Sequence, residues 1–200
     1  MARHVDKQAQ EDRISEAVWT VLATRGVEGL TLRAVATVAG CTTGLVLHRF
    51  ANRRELLRYA RTLLFTRVQA RVERIEAERA SPAEALRAIL MQGMAVDDAM
   101  AEETRVWAGF LVGALGDEEL IAVHRRNNRA WQERVVRLVR ATDPTRSADE
   151  AWLIARALIA VTDGAGTLAI ADPESYDPAT QRAMLDATLT AFGLLSPPVP

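Results

Sequence analysis

Between Thr31 and Phe50 the chain reads TLRAVATVAGCTTGLVLHRF, and hydroxyls, small residues and cations recur there at helical spacing. Arg33, Thr42, Thr43, Gly44, Leu45, His48, Arg49 and Arg53 form one set suited to contacting a DNA duplex. Thr42 and Thr43 supply hydroxyls for phosphate oxygens and base edges, and Leu45 an apolar group for a thymine methyl. Gly44 lets the backbone come close to a duplex. His48 follows Gly44 by four residues, on the same helical face, where it can read a base or hold a phosphate. Arg33, Arg49 and Arg53 are cations for phosphates, contacts that fix register and make binding salt-dependent. An ordinary solvated helix carries each of these residue types too. The grouping carries the reading, not any single side chain.

Two short helices must position this set. Leu32, Val35 and Ala36 line one face, Ala39-Gly40-Cys41 breaks the period, and Thr42 offers an oxygen to cap a second helix. Helices over 32–39 and 43–49 joined by a glycine-containing turn make a helix-turn-helix. A first helix over 8–25 presents Ile14, Ala17, Val18, Val21 and Leu22 on one side, with Gly26 placed to end it. A fourth begins near Arg53 and runs through Leu56, Leu57, Leu64 and Val68 to about Ala77.

The 31–50 segment resembles the TetR family of bacterial transcriptional regulators, whose pattern is close to T-x-x-x-I-A-x-x-A-G-V-S-x-G-x-L-Y-x-H-F-x-x-K. Thr31, Val35-Ala36, Ala39-Gly40, Thr42, Gly44, Val46, Phe50 and Arg53 stand in the matching places. RISEAVWTVLATRGVEGL, residues 13–30, is similar to the family's first helix and its connection. Two positions depart from the pattern: Leu47 replaces a tyrosine that often contacts phosphate, and Arg49 replaces a histidine. Cys41 stands where the family usually has valine, so it reads as a small packing residue rather than a redox switch. The resemblance implies an all-α fold, a homodimer and a double-stranded DNA operator that is palindromic, with a small-molecule effector.

Composition agrees. Two hundred residues, 49% hydrophobic and 26% charged, suffice for a sizeable core. Residues 1–75 hold 13 Lys and Arg against 7 Asp and Glu, a net of +6, whereas the rest of the chain carries −7. A basic head on an acidic body suits a DNA-contacting end and a regulatory end. One cysteine excludes an internal disulfide framework and fits a cytoplasmic protein. The segment MARHVDKQAQEDR has no apolar core for a signal peptide, and the apolar run 151–171 is interrupted by Arg156 and Asp163. That run is expected to be a buried helix, not a membrane span.

The body is expected to be helical throughout, about nine helices in all, with no strand. Ser81-Pro82-Ala83-Glu84 and Ser147-Ala148-Asp149-Glu150 are capping boxes that open two helices. Others are expected over 102–115, 117–141 and from Asp177 onward, with a proline-rich tail at 196–200. We therefore expect a DNA-binding domain over 8–68 and a ligand-binding and dimerisation domain over 78–195. Met94, Trp107, Phe110, Trp131 and Asp163 are candidates for a ligand pocket. Val161, Leu168, Leu185, Leu189 and Phe192 are candidates for a dimer interface. The stretch from Arg105 to Trp131 is similar to the regulatory domain of BetI-like members, the best-known of which responds to choline. Tryptophan faces with one carboxylate make a chemically sensible cage for such a cation, although tryptophans at helical spacing equally serve a core. The effector expected is cationic or aromatic.

No nucleophile–base pair, phosphate loop or metal cluster supports catalysis, so neither enzyme activity nor a cofactor is expected. His124 has no clustered ligand partner, which argues against a metal. Two other readings stay open: a constitutive DNA-binding protein, and an all-helical ligand-binding protein with a vestigial head.

Overall fold

A computed structural model describes residues 2–196, with side chains from Ala9 onward. The side chain of His4 and the end of the proline-rich tail, 197–200, fall outside those limits. The described residues form nine α-helices and no strand: α1 (Ala2–Arg25), α2 (Leu32–Ala39), α3 (Thr43–Arg49), α4 (Arg53–Ala77), α5 (Pro82–Leu90), α6 (Asp98–Ala114), α7 (Glu118–Thr142), α8 (Ala148–Ala171) and α9 (Pro178–Ala191). A 3-10 turn, Met91–Gly93, follows α5, so that helix stops short of Met94. The Asp97 carboxylate accepts from Met100 N–H at 2.8 Å and starts α6 one turn earlier than the sequence pattern suggests.

The chain divides into two compact units. The first comprises Met1–Phe65 and Arg105–His124, the second Thr66–Thr104 and Arg125–Pro200. Compactness therefore adds the end of α6 and the start of α7 to the head helices, where the sequence pattern suggests a contiguous head over 8–68. Gly109 and Val27 supply one reason: a Cβ on Gly109 would stand 2.9 Å from a Val27 methyl.

In the first unit Ile14, Ala17, Val18, Val21 and Leu22 of α1 are buried, as are Val35 of α2, Val46 of α3 and Leu56, Ala60 and Leu64 of α4. The helix ends are fixed by local chemistry. Thr31 accepts from Ala34 N–H at 3.1 Å and Thr42 from Leu45 N–H at 3.3 Å. Gly40 sits at φ +63°, a left-handed conformation that a side chain would strain, and turns α2 toward α3.

The second unit is organised on α8. Ser147 and Glu150 make the expected capping box. Ala151, Ile154, Ala155, Leu158, Ile159 and Ala165 pack with Leu86, Ile89 and Leu90 of α5, with Val135 and Val139 of α7, and with Leu185 and Leu189 of α9. Among the described residues α8 alone is long and apolar enough to cross a membrane, with mean hydropathy 1.5. Its burial in this core accounts for that composition. Gly166 lets the backbone near Gly93 and Met94 come in closely, since a Cβ there would stand 2.7 Å from the Gly93 carbonyl.

Two polar groups in this unit contrast, Gln181 buried and Asp163 half-buried. Gln181 is fully buried and satisfied: its Oε1 accepts from Ala95 N–H at 2.9 Å, and its Nε2 donates to the Ala95 carbonyl at 3.1 Å and the Tyr176 carbonyl at 2.8 Å. Gln181→Met keeps the volume but strands three backbone groups. We expect it to lower the unfolding free energy by about 2–4 kcal/mol in urea titration, and an unchanged midpoint would rule the clamp out. For Asp163, burial pushes the carboxyl from the ordinary 3.8 up to about 7. The folded chain thus keeps this proton where the unfolded chain has lost it, so its contribution to stability falls as pH rises from about 4 to about 7, then levels off. Asp163→Asn removes that decline and is expected to be the more stable form at pH 8. A stability difference between the two proteins that stays constant from pH 4 to pH 8 defeats this account.

Candidate nucleic-acid interface

Helix α3 has only seven residues, so its surface is set by what lies beneath it. Val46 is fully buried and Phe50, its C-cap, nearly so, with the Phe50 ring 5.0 Å from that of Tyr59 on α4. This turns the opposite half of the helix outward. Thr43, Gly44, Leu47 and His48 are exposed there as two pairs four residues apart. Thr42 is exposed at the cap and Arg33 on α2, while Leu45 is half-buried at the edge of the face.

Leu47 was not among the residues singled out as DNA-facing in the sequence, yet its side chain is 45% exposed at the centre of this face. Its spacing from Thr43 is the signal that could have found it. Thr37 and Val38 of α2 are exposed as well. A hydroxyl, a bare backbone, a leucine and an imidazole on one short helix are groups that meet phosphates, base edges and thymine methyls.

Two of the expected phosphate cations are engaged inside the head. The Arg49 guanidinium lies 3.2 Å from Glu11, 5.2 Å from the centre of the Tyr59 ring and 5.5 Å from that of Phe50. Arg53 donates through Nε to the Leu30 carbonyl at 3.1 Å, and through Nη2 to the Val27 carbonyl at 3.0 Å and the Glu28 carbonyl at 3.4 Å. It braces the α1–α2 loop from the first residue of α4, and keeps part of its side chain in solvent.

The five ligand-pocket candidates fall into different units. Trp107 and Phe110 lie in the first: Phe110 is buried, and the Trp107 ring centre is 6.4 Å from that of His124. Met94, Trp131 and Asp163 lie in the second. Met94 is fully buried in its core, Trp131 packs against that core, and the Asp163 carboxylate faces Gly93, 3.2 Å from where a Cβ would stand. An open groove of about 440 Å³ lined by Arg129, Gln132, Asp149, Trp152, Leu153 and Arg156 includes none of these five.

The interface candidates need one correction. Leu185 and Leu189 are buried in the core of their own unit and are not available to a second copy. The face α9 leaves outside carries Ala183, Ala187 and Ala191 instead. On α8, Leu168 is 48% and Leu153 70% exposed, Val161 is half-buried between them, and Phe192 is half-buried after α9. Among the described residues no group of three or more His, Cys, Asp or Glu is placed to hold a metal ion.

The comparisons with known proteins agree with this geometry. Residues 14–60 match the family described as bacterial regulatory proteins, tetR family. Residues 82–193 match the C-terminal domain of BetI-type transcriptional repressors. The chain is 25% identical over 173 residues to the HTH-type transcriptional regulator PksA of Bacillus subtilis, covering 86% of this chain and 84% of that protein. It is similar to a transcriptional regulator from Rhodococcus sp. Rha1, with 29% identity, a TM-score of 0.79, and 90% of this chain and 94% of that one covered. A regulator from Saccharomonospora viridis, solved in complex with choline, shares the fold at 17% identity with a TM-score of 0.81, over 92% of this chain and 96% of that one. The chain belongs to the TetR family of bacterial transcriptional regulators and is not an enzyme.

Proposed function

We propose that this regulator is a repressor that binds a palindromic operator as a homodimer and leaves it when a small molecule binds. The observation that carries the DNA reading is the outward half of α3, where Thr43, Gly44, Leu47 and His48 stand on a helix held by Val46 and Phe50. Arg33 and Thr42 flank it as phosphate contacts, with Leu45 at its rim, and Arg49 and Arg53 hold the surface from behind. One seven-residue helix covers too little DNA for a specific site. Two copies related by a two-fold axis read two half-sites about one helical turn apart.

The exposed apolar stripe of α8, from Leu153 through Val161 to Leu168, and the alanine stripe of α9 support the dimer. Small residues allow two helix pairs to approach closely and form a four-helix interface. Effector binding changes the pitch of α4, whose residues belong to both units, and so alters the spacing of the two α3 helices. Release requires the effector to prefer the DNA-free arrangement. The choline complex of the Saccharomonospora viridis relative is consistent with a sensor of this design.

Duplexes selected from a random pool give the test. In mobility-shift titrations Arg33→Ala, Thr43→Ala and Leu47→Ala are each expected to weaken binding by roughly 5- to 150-fold, the range for a lost contact of about 1–3 kcal/mol. Arg33→Ala should also flatten the dependence of log affinity on log salt by about one unit per bound copy. Unchanged affinity in all three variants defeats the DNA reading. Leu168→Glu combined with Ala187→Glu should sediment as a monomer, and a dimer that survives both changes refutes this seam.

A further inference from the structure

Helix α4 turns Arg54, Arg58 and Arg61 along one side, and the start of α7, with Asp117 as its cap, meets the first two with carboxylates. Arg54 Nε lies 3.2 Å from Asp117, and Arg58 pairs with Glu119. One turn further the pattern breaks. Arg61 is only 4% exposed, and its Nε is buried without a hydrogen-bond partner. From Leu120 to His124, α7 supplies no acid, and the group that feels the Arg61 charge is His124. Its Nδ1 is also buried without a partner. Trp107 of α6 stands beside His124, its ring tilted 49° to the imidazole at 6.4 Å. All three residues belong to the first unit.

An unpaired cation in such a place costs several kcal/mol. Some buried ions escape that cost by changing protonation. Asp163 does so, because burial lifts its carboxyl to about 7. Arg61 cannot, because burial lowers its guanidinium only to about 10, far above neutrality. Burial and the nearby Arg61 charge both favour the neutral imidazole of His124, which still donates one N–H. A buried guanidinium with no carboxylate partner, beside an imidazole that can donate one N–H, lacks one thing: an anion from outside the chain.

We propose that Arg61 and His124 hold the carboxylate of a small organic acid, the effector of this regulator, with its apolar or aromatic body against Trp107. The guanidinium fork takes both carboxylate oxygens, or one of them while His124 donates to the other. This rests on the ligand-responsive reading above and replaces the cationic occupant suggested by the tryptophans with an anionic one.

Titration calorimetry and thermal unfolding of the full chain test it with benzoate, hexanoate, inorganic phosphate and choline chloride as probes. Benzoate or hexanoate should bind and raise Tm in proportion to occupancy, ahead of phosphate, and choline should do neither. Arg61→Met should weaken carboxylate binding by about ten-fold or more. Without ligand it should unfold no lower than the wild type, since the methionine fills the space without a buried charge. His124→Gln, at a half-buried position, is a second variant expected to lose several-fold in affinity. Carboxylates without effect on the wild type, phosphate bound more tightly than carboxylates, or Arg61→Met binding as well as the wild type would each overturn the proposal. Choline binding in place of carboxylates overturns it too, while leaving the ligand-responsive reading intact. A carboxylate that binds through Arg61 but leaves operator affinity unchanged upholds the site and sinks the release mechanism.

Discussion

Everything this protein does at DNA depends on holding a seven-residue helix in place. An isolated helix that short does not persist in water, because the few hydrogen bonds it closes do not offset the cost of nucleation. Here α3 exists because Thr42 caps it, Val46 anchors its middle and Phe50 closes it against Tyr59. The surface left over is the one proposed to meet DNA. Arg49 and Arg53 serve the same end: one ties the end of α3 to α1 through Glu11, and the other ties the start of α4 to the α1–α2 loop. A cation held in this way fixes the geometry of the exposed face beside it.

The treatment of buried polar groups separates parts that hold the fold from parts poised to change. Gln181 makes three hydrogen bonds to backbone and is structural throughout. Arg71 and Glu103, like Arg87 and Asp186, make paired charge-assisted bonds. Arg61 has no such partner, and His124 shares its orphaned state. Natural chains tolerate conflicts of this kind chiefly where function requires them. The contrast between a satisfied Gln181 and an unsatisfied Arg61 therefore says more about a sensor than the mere presence of tryptophans.

Much of this was legible in the residues. Helices α2 and α3 were readable to the residue, because a threonine cap and a left-handed glycine mark their ends chemically. The outer face of α3 is legible in part: the exposure of Thr43, Gly44 and His48 follows from the sequence pattern, and the four-residue spacing from Thr43 extends it to Leu47. What periodicity could not supply was the identity of the partner on the apolar side. Leu185 and Leu189 keep perfect helical spacing, and that pattern is the same whether the stripe meets its own core or a second copy. The partners of Arg49 and Arg53 are hidden from the sequence for a related reason. Their partners, Glu11 and the carbonyls of Val27 and Leu30, lie 23 or more residues away in the chain.

The unpaired arginine was invisible for a deeper reason. In the sequence Arg61 is one of several arginines on a long polar helix, and nothing there sets it apart from Arg54 or Arg58. Its character comes from the residues α7 sets along that side of α4, where two carboxylates give way to a histidine. Tryptophans attract attention because they are rare and large, yet a tryptophan can line a core at no electrostatic cost. A buried guanidinium cannot, so it constrains the occupant more tightly than any aromatic wall: whatever settles beside Arg61 must bring a negative charge or leave the cation unsolved. The same reasoning weakens Asp163 as a cation hook, since burial already favours its neutral form.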